Sequence, residues 1–366
     1  MARKFRIADV DAHYTDDPRE LWKYMEEPWA TRIRDWSGKY YAPPGGASSG
    51  DSLMGGRVQT NKHKKGIGKE HQGISSNKEV VMEVMEEYGF TEIVLIPTYM
   101  LHLAKMNDRQ KAVVLSKAHA RHMIETIVDP DNGIYAALPV PVQEPEESAE
   151  LIEEVGDHPG FCGVLVATQL SLPPLGSNIY NPIYRAAQSK GLPIIAHSGF
   201  SGPDSNTYAK GLEKWVESHS LDFAVCNMIQ LTSVVMQGVK EKFPKLDWIF
   251  QESGIFYIPQ VMFRLDTEYM RRRAEVPLLK KLPSEYIKDM YFGTQPLEIP
   301  SNIKYLKYVF EMIDAENTLM YASDWPHYDW DHPSVIERLT FLNDEQKQKI
   351  LGDNARRVLR FKRDGA

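Results

Sequence analysis

Apolar residues along the chain gather into eight short runs bounded by turn and cap residues, the pattern expected of buried strands. The runs are Arg6–His13, Glu92–Pro97, Ile134–Val140, Cys162–Thr168, Leu192–Ser198, Leu246–Ser253, Met290–Gln295 and Leu319–Trp325. Helical periodicity fills most of the intervals. Ser76-Asn-Lys-Glu79 is a capping box ahead of Val80, Val81, Val84 and Met85, and Gly89 is the stop. Asn181-Pro182 opens another helix with proline at its first position, and Gly191 ends it. Asp344 to about Arg360 reads as a closing helix. Eight alternations of strand and helix predict an α/β fold, a single (β/α)8 TIM barrel over residues 1–366. A doubly wound sheet would place a glycine-rich phosphate turn after the first strand, where this chain has Asp11-Ala12-His13.

The pattern lapses between about residues 39 and 73, a Gly-, Ser- and Lys-rich insertion without periodicity after strand 1. In a barrel such a connection lies on the catalytic face, so it is either a lid or pocket wall, or a surface insertion. Its stretch Asn61–Lys69 is either a contact for an anionic substrate group or a solvated loop.

Composition narrows the partners. A chain that is 42% hydrophobic and 25% charged has material for a sizeable core. Its formal net charge of −7 argues against nucleic acid or an anionic membrane as the main partner. No apolar run approaches the roughly 18 residues of a membrane span. With a strand-like run starting by Arg6, no signal peptide is expected, and Cys162 and Cys226 are expected to form neither a disulfide framework nor a metal motif. The expectation is a cytoplasmic protein acting on a small molecule.

Asp11 and His13, two apart at the end of the first strand, point to one side of it, into the barrel mouth. An inward carboxylate beside an imidazole is costly to bury, and a divalent cation compensates directly. Asp9 shares their parity at a deeper level. His197 ends the fifth strand, Glu252 closes the sixth, and Asp324 ends the eighth, followed by Trp325-Pro-His327. Two imidazoles with two carboxylates form the mixed set suited to Zn2+, Mn2+ or Fe2+. Glu252 is either a further acid or base facing the metal, or a carboxylate paired near Arg264. Trp325, Tyr328, Trp330, Phe256 and Tyr257 crowd the same face, which suits an aromatic substrate or simple packing.

These marks together resemble the amidohydrolase superfamily. The closer similarity is to its amidohydrolase-related branch, which includes aminocarboxymuconate-semialdehyde decarboxylase and the aromatic acid decarboxylases. The resemblance rests on Asp9-Val-Asp-Ala-His13, Phe243–Gly254, Phe263-Arg-Leu-Asp266, Phe292–Pro296, Ser323-Asp-Trp-Pro-His327 and Ile350–Arg356. It implies a mononuclear divalent metal, Zn2+ first and Mn2+ or Fe2+ next, held by Asp11, His13, His197 and Asp324. It also implies a homo-oligomer. Two departures stand out. Asp11 replaces the usual first histidine, which adds charge and favours a harder metal. Glu252 stands where the decarboxylases carry a strand-six histidine.

The reading given first is therefore a metal-dependent hydrolase of an amide, lactone or (thio)ester. Metal-bound water would be activated toward a pKa of ~7, with Asp324 as base and His197 or His219 polarising the carbonyl. The missing strand-six histidine favours this over the alternative, a non-oxidative decarboxylase of an aromatic or enoic acid with Glu252 as proton donor. His219 is a substitute donor, and Arg264, Trp325 and His327 are substrate contacts. A third reading is a binding barrel without turnover. With Asp11, Glu252 and Asp324 all ionised, the pocket would carry −3 against a +2 metal, so one carboxyl is expected to be neutral or paired with a cation such as Arg264.

Overall fold

The computed structural model describes residues 4–14, 20–36, 78–169, 171–199, 212, 214–327 and 329–362. The expected insertion at 39–73, its Lys-rich stretch, Tyr328 and the first half of the Ser76–Glu79 capping box lie outside these residues. All eight predicted strands form: β1 Ile7–Tyr14, β2 Phe90–Pro97, β3 Ile134–Pro139, β4 Phe161–Ala167, β5 Ile194–His197, β6 Trp248–Gln251, β7 Tyr291–Gly293 and β8 Leu319–Met320. Each pairs in parallel with the next, in the order β1 to β8. Backbone bonds from Val10 N to Tyr321 O (3.0 Å), Asp324 N to Asp11 O (2.7 Å) and His13 N to Trp325 O (2.7 Å) join the eighth segment back to β1. The result is a (β/α)8 barrel.

Parallel strands covered on both faces need apolar side chains on both, and successive residues divide accordingly. Ile93, Leu95, Ile134, Val164, Ile194, Trp248 and Phe292 join the layer shared with the helices. Val94, Ile96, Tyr135, Ala137, Leu165, Ile195, Ile249 and Met320 form a second cluster from the opposite faces. The connecting helices include α1 Trp29–Trp36, α2 Lys78–Tyr88, α3 Arg109–Thr126, α4 Pro145–Val155, α5 Asn181–Ser189, α6 Trp215–Met236, the short α7 Val239–Lys242 and α8 Tyr257–Arg272. α5 opens on Pro182 near its start as expected. The closing helix foreseen from Asp344 is broken into Asp344–Gln348, a π-type turn Lys349–Asp353, and Asn354–Val358. Among the described residues no helix is long and apolar enough to cross a membrane.

Several strands stop short of their predicted ends, and in β6 and β8 the difference places a carboxylate. β6 stops at Gln251 and β8 at Met320, so Glu252 and Asp324 lie beyond the ladder. Both adopt left-handed backbone, with φ of 56° and 60°. Such a turn swings the side chain off the strand's alternation.

Candidate metal centre

β1 does not keep a strict alternation. Its register against β2 shifts between Asp9 and Ala12, the kind of irregularity that re-aims side chains beside active sites. Ala8 and Val10 belong to the inner apolar cluster, whereas Ala12 and Tyr14 belong to the layer under the helices. Asp11 and His13 are thereby left to the mouth, and Asp9 takes a separate task. Its carboxylate accepts Ser323 N (2.9 Å), Ser323 Oγ (2.6 Å) and Asp11 N (3.1 Å), which ties β1 to the turn carrying Asp324. Burial pushes the Asp9 carboxyl up to about 7, against the pull of these hydrogen bonds.

His13 is held through Nδ1, 3.0 Å from Thr98 Oγ1, at the start of the 3-10 helix Thr98–Lys105. That leaves Nε2 facing Asp324 Oδ1 at 3.1 Å and Asp11 Oδ1 at 3.7 Å, buried and without a well-formed hydrogen bond. Burial, then the neighbouring His327, push His13 well below the usual histidine range, with Asp324 opposing. A neutral imidazole with one nitrogen anchored and the other turned to carboxylates is the form a cation needs. His197 places Nε2 at 3.3 Å from Asp11 Oδ1 and 3.5 Å from Glu252 Oε2, its Nδ1 lying against Ser198 O. Burial disfavours its charge, but Asp11, Glu252 and Asp324 outweigh burial and lift it to about 9. A divalent cation held here would satisfy the same carboxylates in place of that proton.

His327 Nδ1 is 2.5 Å from Asp324 Oδ1, and its ring lies 4.1 Å from that of His13. Gln295 Nε2 donates to Asp324 Oδ2 at 3.2 Å. The donor chemistry therefore fits a divalent metal: imidazole nitrogens and carboxylate oxygens converge, buried, at the C-terminal ends of the strands. The residues divide into two overlapping groups, each with its ligating atoms within 4.8 Å of one another: Asp11, His13 and His197, and His13, Glu252, Asp324 and His327.

Helix α6 lies along this rim. Gln230 Nε2 donates to Thr168 O (3.0 Å), Asn227 Nδ2 to Gln251 O (2.9 Å), and Ser253 Oγ to Phe223 O (3.1 Å). One helix thus spans the ends of β4 and β6. Further along the same face, His219 Nε2 is 3.5 Å from Asp329 Oδ2, so this histidine sits at the rim near the turn after β8 instead of in solvent.

Three expected substrate contacts are placed differently from one another. Arg264 is not brought to the mouth: its guanidinium is 69% exposed on α8 and pairs with Glu268 at 3.1 Å, one helical turn on. It is therefore not the cation that balances Glu252 within the chain. Trp325 is 1% exposed and packs in the layer between strands and helices, because it bridges to Ala12, whose side chain faces that layer. His327, assigned to substrate, joins the cluster itself. Of the aromatic group, Tyr257 is buried in the core, and Trp330 stacks near Tyr88 and His332. Thr98 carried no periodic or spacing signal; Asp9 was legible by parity, and Gln295 and Ser323 belong to the quoted motifs Phe292–Pro296 and Ser323–His327, but their contacts were not.

A family model described as Amidohydrolase matches residues 8–361. Among characterised proteins, γ-resorcylate decarboxylase of a Rhizobium species is 22% identical over 78% of this chain and 87% of its own length. Among solved structures, an amidohydrolase from Mycobacterium avium subsp. paratuberculosis superposes with a TM-score of 0.74 at 18% identity, covering 98% of this chain and 100% of that one. Dihydroxybenzoic acid decarboxylase from Polaromonas, with bound manganese and 2-nitroresorcinol, gives 0.66 at 15% identity over 97% and 96%. The hydrolase reading is corrected by these findings, since the characterised relatives are γ-resorcylate decarboxylases. The absent strand-six histidine misled because it is one position, and the similarity to decarboxylases over 78% of the chain outweighs it. With a cation-binding mouth in place and a family match along almost its whole length, this chain belongs to the Amidohydrolase family of enzymes.

Proposed function

We propose that the protein is a metal-dependent, non-oxidative decarboxylase of a small aromatic carboxylic acid, acting as a homo-oligomer. The observation that carries this is the Asp11–His13–His197 group in the mouth of a chain whose characterised relatives are γ-resorcylate decarboxylases. Asp11, His13, His197 and Asp324 would hold the ion. When bound, the ion would supply positive charge for the substrate's carboxylate and an adjacent oxygen. The manganese in the Polaromonas decarboxylase and the extra charge of Asp11 favour Mn2+ here over the Zn2+ expected from the sequence.

The residues of the chain divide the remaining work. Thr98 fixes the His13 ring so that Nε2 meets the mouth. Decarboxylation breaks the ring-carbon–carboxylate bond, leaves its electron pair on carbon, and requires one proton there. Glu252, 3% exposed and 3.5 Å from His197 Nε2, is the group positioned to deliver it. His219, paired with Asp329 at the rim, would return a proton from solvent. Asp324 is fixed by Gln295 and His327, so it orients rather than swings.

The test is product chemistry with Mn2+-loaded protein in deuterated water. γ-Resorcylate, other dihydroxybenzoates and 5-carboxyvanillate should be screened for CO2 release, with one deuterium expected at the vacated ring position. Full metal occupancy with no CO2 from any ortho-hydroxylated aromatic acid would sink the proposal.

A further inference from the structure

Trp330 belongs to the aromatic group expected to face a substrate, yet it lies outside the mouth. It is half-buried and packs against the layer between strands and helices, beside Tyr88 at the end of α2. The ring centroids of Tyr88 and Trp330 are 5.0 Å apart, those of Tyr88 and His332 5.7 Å, and those of Trp330 and His332 5.8 Å. The three rings form one wall of a groove of about 520 Å3, completed by Glu87, Ser334 and Arg338. That volume falls within the ~300–1,000 Å3 usual for small-molecule sites. The groove backs onto the turn that carries Asp324, since Trp330 N donates to His327 O (3.3 Å) and Asp331 N to Ser323 O (2.8 Å).

Two charges of opposite sign line this groove. Arg338, exposed at the end of the short helix Ser334–Glu337, makes no ion pair or side-chain hydrogen bond among the described residues. A guanidinium in that state offers its planar fork to a carboxylate. Glu87 is oriented by the Tyr88 hydroxyl, which donates to its Oε1 at 3.1 Å. A carboxylate has about four acceptor positions, so Glu87 can also accept from a ligand hydroxyl. The His332 ring is fixed by Ser334 N, which donates to its Nδ1 at 3.0 Å. With one cation and one anion, the groove suits a monoanion and disfavours a polyphosphate, whose further charges Glu87 would repel. Its wall of rings favours a flat aromatic partner over an alkyl chain.

We propose that this groove is a second ligand site, separate from the mouth, for a hydroxylated aromatic monocarboxylic acid. The ring packs against Trp330, the carboxylate pairs with Arg338, and a ring hydroxyl donates to Glu87. The site binds without turnover, and no step of the reaction assigned above passes through it.

The probe is 4-hydroxybenzoate, titrated calorimetrically into Mn2+-loaded protein. It has no oxygen beside its carboxylate, so it lacks one of the two contacts assigned to the ion in the mouth. One molecule should bind per chain and quench tryptophan fluorescence, and Trp330→Phe should remove the quenching. Arg338→Met should weaken binding by about 10–100-fold. Glu87→Ala should erase the preference for 4-hydroxybenzoate over benzoate while benzoate still binds. Both side chains are exposed, so these two variants should keep the wild-type melting temperature and metal content. Equal affinity in Arg338→Met, a preference unchanged by Glu87→Ala, or no binding to the wild type overturns the proposal. Binding in the groove of a protein that releases no CO2 would defeat the decarboxylase reading alone. An active decarboxylase without this binding would defeat the present proposal alone.

Discussion

Thr98 has no charge and no role in bond making, yet it decides which nitrogen of His13 meets the mouth. Its hydroxyl lies 3.0 Å from Nδ1. Removing such a partner typically weakens metal binding by about 10–100-fold while leaving the fold intact. Thr98→Val is therefore expected to raise the Mn2+ dissociation constant by that factor in a chelator-competition titration, with its melting temperature nearly unchanged. Equal metal affinity in the variant would show that His13 is oriented by other means. Residues of this kind are hard to see in a sequence. Asp11, His13 and His197 announce themselves because charged and titratable side chains interrupt apolar strands, whereas a threonine at a strand end matches ordinary strand composition.

At the scale of elements, strand ends matter more than strand centres. The sequence locates β6 and β8, but their apolar runs extend past the point where pairing stops. Glu252 and Asp324 owe their direction to the left-handed turns that follow. Glycine takes that conformation without the Cβ clash. Glu252→Gly should therefore be more stable than Glu252→Ala by about 1 kcal/mol in urea unfolding, with CO2 release abolished in both. If alanine proves as stable as glycine, the φ of 56° stores no strain. β1 gives the same lesson. A spacing of two predicts one shared face for Asp9, Asp11 and His13, but the register shift separates Asp9, which becomes a clamp on Ser323.

Across the whole molecule, the mouth stores charge that a cation relieves, and pH should report it. His197 is lifted from the ordinary histidine value of 6.5 to about 9 in the absence of metal. A raised folded value means that its stabilising contribution is complete below about 6.5 and is lost as pH rises through 9. Asp9 and Asp331, both pushed up to about 7, add losses in the same direction below that pH. Lys105, pushed down to about 8 by burial, opposes the trend above it. Between pH 7 and 8 the stability of metal-free protein should thus fall with a slope of up to about 1.4 kcal/mol per pH unit. Saturating Mn2+ should flatten the slope and raise stability by about 2.7 kcal/mol at one hundred times the dissociation constant. Denaturant unfolding with and without metal checks both, and an unchanged slope after metal loading would separate His197 from the metal.

The amino-acid sequence by itself determined the barrel and the chemistry-bearing residues at its strand ends. It could do so because alternation of buried strands and amphipathic helices is a local pattern, and because a carboxylate or imidazole within an apolar run is conspicuous. Tertiary structure decided what no spacing records. Closure of the eighth segment onto β1 brings Asp324 to His13 across more than three hundred residues. It turns Trp325 into the packing layer, carries Arg264 out to solvent, and draws His327 into the cluster. Those outcomes depend on backbone register and turn geometry between distant strands, which one sequence does not reveal.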